Sequence, residues 1–175
     1  MGIHGTDGTY HAYRSVVPLP LHGWREMTTG DVSNIAGNGG ILASDTTPIM
    51  LGVGSTISQE ISWAASNNDQ IGCQVPLPAD FDGRQDVLFE AWVYSGTTDP
   101  ASFTLQTSWD GGTAVSTTVT DGAKSATVHK ISAVIPASSI PDAASYVSVT
   151  LDPAAHTTNA TNLANARLSY LPRRV

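Results

Sequence analysis

Five histidines, one cysteine and a cluster of three aspartates are the residues of this chain best equipped for chemistry. His4, His11, His22, His129 and His156 could bind a transition metal or carry a proton. None stands two to four residues from another His or Cys, the spacing by which one element supplies two metal ligands. His129 falls on a predicted strand and His156 in a Thr-rich loop, where each reads as a surface or hydrogen-bonding residue. Cys73 shares a period-two face with Ile71, Val75 and Leu77, which predicts a buried, structural thiol rather than a nucleophile. With a single cysteine there is no intrachain disulfide. Asp80, Asp82 and Asp86 surround Gly83 and loosely suggest an oxygen-ligand calcium loop. They lack the spacing and the closing Glu of an EF-hand, so Asx-turns ahead of the next strand are the expected role.

No nucleophile elbow, phosphate loop or dinucleotide fingerprint is present. The Asp and Glu residues fall mostly in turns, which disfavours the facing carboxylates of a glycosidase. No catalytic residue, metal site or cofactor is expected. Asn159-Ala160-Thr161 matches a glycosylation acceptor, but the start of the chain lacks the basic and apolar regions of a signal peptide. Synthesis and folding in a cytoplasm are expected.

Alternating segments punctuated by turn residues must position these side chains. Thr56 to Ala64 places Ile57, Ile61 and Trp63 on one face and Ser58, Glu60 and Ser62 on the other. Asp86 to Ser95 turns Val87, Phe89, Ala91 and Val93 inward and Leu88, Glu90, Trp92 and Tyr94 outward. Ser102 to Trp109 buries Phe103, Leu105, Thr107 and Trp109, then turns at Asp110-Gly111-Gly112. Further strands are predicted at Gln70 to Leu77, Ala114 to Thr120, Thr127 to Ile135, Tyr146 to Leu151 and Leu163 to Leu171. A phase change near His129-Lys130 suggests a bulge or a strand that switches sheets. About eight strands with no amphipathic helix predict an all-β antiparallel sandwich, a jelly roll or related Greek key, over residues 41–175.

Residues 1–40 read differently. Pro18 and Pro20 enforce an extended path, and residues 34–40 are a Gly-rich turn cluster. An extended arm is expected, with Tyr10, Tyr13 and Trp24 docking on a partner, because disordered tails seldom keep aromatics. Trp92 and Tyr94, two apart on one outward face, are the other predicted partner-binding residues. Trp63 and Trp109 are assigned to the core.

The 175 residues are enough for one sizeable sandwich. Only 13% are charged, about half the usual share, so hydroxyls and amides make up much of the surface. The net charge of −7 and the scattered basic residues exclude a nucleic-acid partner. Arg167, Arg173 and Arg174 form the one local basic group, read as a frayed tail. No window has the length of a membrane span.

Val75-Pro76-Leu77-Pro78-Ala79-Asp80-Phe81-Asp82 runs into a long strand. The segments 95–100, 103–107, 137–142, 147–153 and 155–158 follow in order, and 19–25 and 43–46 precede them. In this phrasing the chain resembles the small β-sandwich proteins encoded in the structural modules of tailed bacteriophages. The resemblance implies a virion protein, a capsid decoration (cement) protein that sits on the outer surface of the head and stabilises it. The implied partner is the major capsid protein, with self-association expected as a trimer. The alternative is a head-fibre or tail module that binds a receptor or carbohydrate.

Overall fold

The computed structural model describes residues 13–27, 42, 48–53 and 58–173. Its strands are β1 (Ser15–Pro18), β2 (Arg25–Glu26), β3 (Ile49–Val53), β4 (Ser58–Trp63), β5 (Ile71–Pro76) and β6 (Val87–Tyr94). They continue as β7 (Phe103–Trp109), β8 (Val115–Val119), β9 (His129–Ile135), β10 (Tyr146–Pro153) and β11 (Thr161–Tyr170). Apart from two single turns of 3-10 helix, Leu21–Gly23 and Ala137–Ser139, no helix occurs among the described residues.

The strands form two antiparallel sheets. The first has the order β3-β4-β11-β6-β9, with β1 also paired to β11; the second has the order β2-β5-β10-β7-β8. Neighbours in a sheet are mostly distant in the chain, as in the predicted sandwich. The alternation seen in the sequence decides which side chains fill the gap. Val87, Phe89, Ala91 and Val93 of β6 are fully buried, and Phe103, Leu105, Thr107 and Trp109 of β7 are buried opposite them. Aromatic contacts tie the layers together. Trp63 of the first sheet meets Phe103 of the second at 5.5 Å between ring centres, and Phe81 lies between Trp109 and Tyr170 at 5.6 and 5.3 Å.

The hairpin after β7 follows its turn residues. Asp110 and Gly111 have φ of 49° and 75°, and the Gly112 N–H donates to the Trp109 carbonyl at 2.9 Å. Two successive positive φ values match the right-handed twist of the strands, which is why Asp-Gly suits this turn. The Asp110 carboxylate also accepts from the Ser145 and Tyr146 N–H groups, joining this turn to the start of β10.

Two sequence expectations are corrected. The sandwich does not begin at residue 41, since residues 15–27 of the expected arm are part of it. β1 pairs with the last strand from Ser15↔Tyr170 to Pro18↔Arg167, β2 pairs with β5, and Leu19 and Trp24 are fully buried. Pro18 is compatible with β1 because it ends a short strand at a sheet margin, where a missing N–H breaks no ladder. Second, β9 keeps its phase: Ile131, Ala133 and Ile135 are buried between exposed neighbours. The register irregularity lies in β11, between Leu163 and Asn165.

Candidate functional site

The antiparallel registers place the outward residues of the first sheet in cross-strand rows. One row runs Ser62, Asn162, Tyr94 across β4, β11 and β6. The next is Asn165, Trp92, Lys130 across β11, β6 and β9. A third is Arg167, Glu90, Ser132, and a fourth is Val16, Ser169, Leu88, Val134, beginning on β1. Directly opposed residues sit about 4.5–5.5 Å apart, so each row is a set of touching side chains.

Glu90 is the hub. Its carboxylate is almost fully buried on this outward face. It accepts from Lys130 Nζ at 2.8 Å, Arg167 Nε at 2.8 Å and Ser169 Oγ at 2.6 Å. Burial pushes the acid's pKa up, but the three donors outweigh it and hold the pKa at about 2. Arg167, fixed by this bond, lies 4.9 Å from the centre of the Trp92 ring, a cation–π distance. Tyr94 donates its hydroxyl to Glu60 Oε2 at 2.6 Å. Its pKa rises to about 12, through burial first and the Glu60 bond second. Trp92 and Tyr94 remain partly exposed. The face thus combines two aromatic rings, held in place by neighbours, with the charges of Glu60, Glu90, Lys130 and Arg167, which sum to zero.

Of the predicted partner-binding residues, this face brings together Trp92 and Tyr94. Tyr13 lies away from them and is 68% exposed. Trp24 is 0% exposed, a core residue rather than a docking one. Its indole N–H reaches the Leu19 carbonyl at 3.4 Å, within its own loop. Tyr10 lies outside the described residues. Glu60, Lys130 and Arg167 also belong to this face, and no local pattern in the sequence marks them for it. Arg167, grouped in the sequence with a basic tail, is a strand residue paired with Glu90. The available signal was the shared outward parity of Glu90, Trp92 and Tyr94.

Other reactive residues have structural partners. Cys73 is buried, and burial pushes its thiol up to about 12. The three aspartates around Gly83 face different ways: Asp80 accepts from Tyr170 Oη, Asp82 from Arg84, and Asp86 from the Ala137 N–H. Among the described residues no cluster of three His, Cys, Asp or Glu could hold a metal. His129 Nε2 lies 2.8 Å from the buried Asp121 carboxylate, and His156 is buried between the Ala154 and Ala64 carbonyls. In the Asn159 sequon, the Asn159 side chain accepts from the Thr98 and Asp99 N–H groups, and Thr161 is buried. That segment acts as a loop clasp.

No family model and no curated protein matches this chain. Solved structures do resemble it. A xylan-binding module CBM15 is 11% identical, with 93% of this chain aligned to 100% of that one at a TM-score of 0.57. The N-terminal CBM22-1–GH10 modules of Clostridium thermocellum endo-1,4-beta-D-xylanase 10B, complexed with xylohexaose, are 13% identical at a TM-score of 0.53. That match takes in 94% of this chain and 29% of the xylanase. Xylanase10C from Cellvibrio japonicus, in complex with xylopentaose, is 10% identical over 88% of this chain and 28% of its own, at a TM-score of 0.54. This chain therefore spans less than a third of either xylanase. At such identities the likeness shows the fold, a β-sandwich of the kind found in these modules.

Proposed function

We propose that this chain is a non-catalytic carbohydrate-binding module, of the sort a phage head fibre or tail protein could carry, and that the outer face of the first sheet takes the glycan. The observation that carries this reading is the placement of Trp92 and Tyr94 two residues apart on β6, beside Glu90, Arg167, Lys130 and Asn165. Side chains at that spacing stand about 7 Å apart along a strand. A sugar ring has an apolar face that needs an aromatic surface and a rim of hydroxyls that needs donors and acceptors. A rigid aromatic pair edged by polar groups meets both needs. Glu60, Glu90, Arg167 and Lys130 cancel in formal charge, which favours a neutral glycan. The sandwich shared with the xylan-binding module supports the same reading.

The test is a glycan array followed by calorimetry with the best neutral oligosaccharide, xylohexaose among the candidates. Trp92→Ala is expected to weaken binding at least tenfold. Because Trp92 is already partly exposed, its removal should cost the fold only about 1 kcal/mol in a thermal melt. Absence of any glycan binding by the intact chain would remove this reading.

A second reading, capsid decoration, is favoured by the other sheet. The middle of its outer face carries Gln74, Gln106, Ser108, Ser148 and Thr150, while the charged Arg25 and Asp152 stand on the edge strand β2 and towards the end of β10. Protein interfaces are depleted of charge at their centres. Under this reading, virions lacking the protein should release DNA at a lower temperature than complete ones. Equal release temperatures would count against it.

A further inference from the structure

The outer face of the second sheet is interrupted by a hollow of about 230 Å³. It forms over Gly72 of β5, where a strand residue without a side chain faces outward beside Thr150 of β10. Ser148 and Gln74 continue the lining, and their side chains bond to each other at 3.3 Å. Met27, just after β2, reaches into the space that a Gly72 side chain would need. Arg25, opposite Gly72 in the β2–β5 pairing, stands at the rim.

Arg25 is held from behind. Its Nη1 donates to the His22 carbonyl at 2.9 Å and the Trp24 carbonyl at 2.8 Å, and Trp24 is locked in the core. Nε and Nη2 have no partner among the described residues, so part of the guanidinium fork stays available while its position is fixed. A guanidinium of this kind recognises planar carboxylates, with two parallel hydrogen bonds where the geometry allows. The hollow is smaller than the roughly 300–1,000 Å³ of a site for a drug-sized ligand, so it suits one ring. Its lining combines the Met27 thioether with the hydroxyls of Ser148 and Thr150 and the Gln74 amide.

We propose that this hollow is a second binding site, separate from the Trp92 face, for a single hexuronic acid residue whose carboxylate is held by Arg25. A uronic acid supplies what the site asks for: one carboxylate, a ring with an apolar face to set against Met27, and hydroxyls for Ser148, Thr150 and Gln74. A neutral hexose of the same size lacks the group that Arg25 would bind. The proposal does not depend on the first sheet binding a glycan.

The experiment is a titration of the 15N-labelled chain, followed by NMR, with methyl glucuronide and, separately, methyl glucoside. Glucuronide is expected to shift the amides of residues 72–74 and 148–150 and to bind at least tenfold more tightly than glucoside. Arg25→Gln should erase that preference, whereas Trp92→Ala should leave it intact. Gly72→Val should displace the Met27 side chain, remodel the hollow and abolish the shifts. If that variant melts early, Gly72→Ala is the substitute, since its new methyl group meets chiefly the flexible end of Met27. Equal response to the two sugars, no response at residues 72–74 and 148–150, or unchanged preference in Arg25→Gln would each overturn the proposal.

Discussion

Trp24→Ala should lose about 3–5 kcal/mol of folding stability, the range for removing a large aromatic from a packed core. Trp24 has no exposed surface, and its neighbour Leu19 is buried just as deeply. A domain holds about 5–15 kcal/mol in total, so one substitution before residue 41 would remove a large share of it. Tyr13→Ala is the control: at 68% exposure its loss should stay within about 0.5 kcal/mol. Urea titration would read both, with a lower midpoint and unchanged slope for Trp24→Ala. A Trp24→Ala loss below about 1 kcal/mol would return the segment to the status of a detachable arm. By the same reasoning, a chain cut at residue 41 would lose β1, β2 and Trp24 together and is not a usable minimal domain.

Acid should unfold the protein partly through Glu90. Its carboxyl falls from the ordinary 4.5 to about 2 on folding, so between those values the unfolded chain binds more protons than the folded one. The stabilisation is present above pH 4.5 and disappears as the pH falls through about 2. A change of that size carries up to about 3 kcal/mol. The side chains of Arg167 and Lys130 are 39% and 50% exposed, and the water around them reduces that figure. Asp82, Asp99 and Asp121 are also held below the usual carboxylate range, by Arg84, by backbone N–H groups, and by backbone N–H groups with His129. The diagnostic quantity is therefore the difference between proteins. Wild type should lose its stability advantage over Glu90→Gln between pH 5 and pH 2, with melting temperatures converging at the acid end. A constant gap across that range would mean that the Glu90 network does not hold the face together.

The parts of this fold legible in the sequence are those whose signal is local. β7 alternates without interruption, β6 does so except at the buried Glu90, and every inward residue assigned to the two strands is buried. β1 and β2 are different. They span four and two residues, surrounded by Pro18, Pro20 and Gly23, and no periodicity can be read from so few positions. What makes them strands is pairing with β11 and β5, remote in the chain. Of the aromatics expected to dock on a partner, Trp24 is buried within the chain itself, Tyr13 is exposed, and Tyr10 lies outside the described residues.

The candidate site divides in the same way. Trp92 and Tyr94 were visible because they share a parity on one strand. Arg167 was misread because its proximity in sequence to Arg173 and Arg174 concealed a partner 77 positions away. Glu60 likewise meets Tyr94 across 34 positions. The hollow over Gly72 left no pattern at all. It is made by an absent side chain on one strand and by residues that follow a turn fifty positions earlier.

The central claim is that the Trp92 face binds a neutral glycan. Amide and indole NMR shifts of the full chain, titrated with xylohexaose or the best array ligand, test it most directly. The account predicts perturbations at the Trp92 indole and along residues 90–94, 130–132 and 165–169, absent in Trp92→Ala. Saturable binding that leaves those positions unmoved, or that survives Trp92→Ala at full strength, would contradict it.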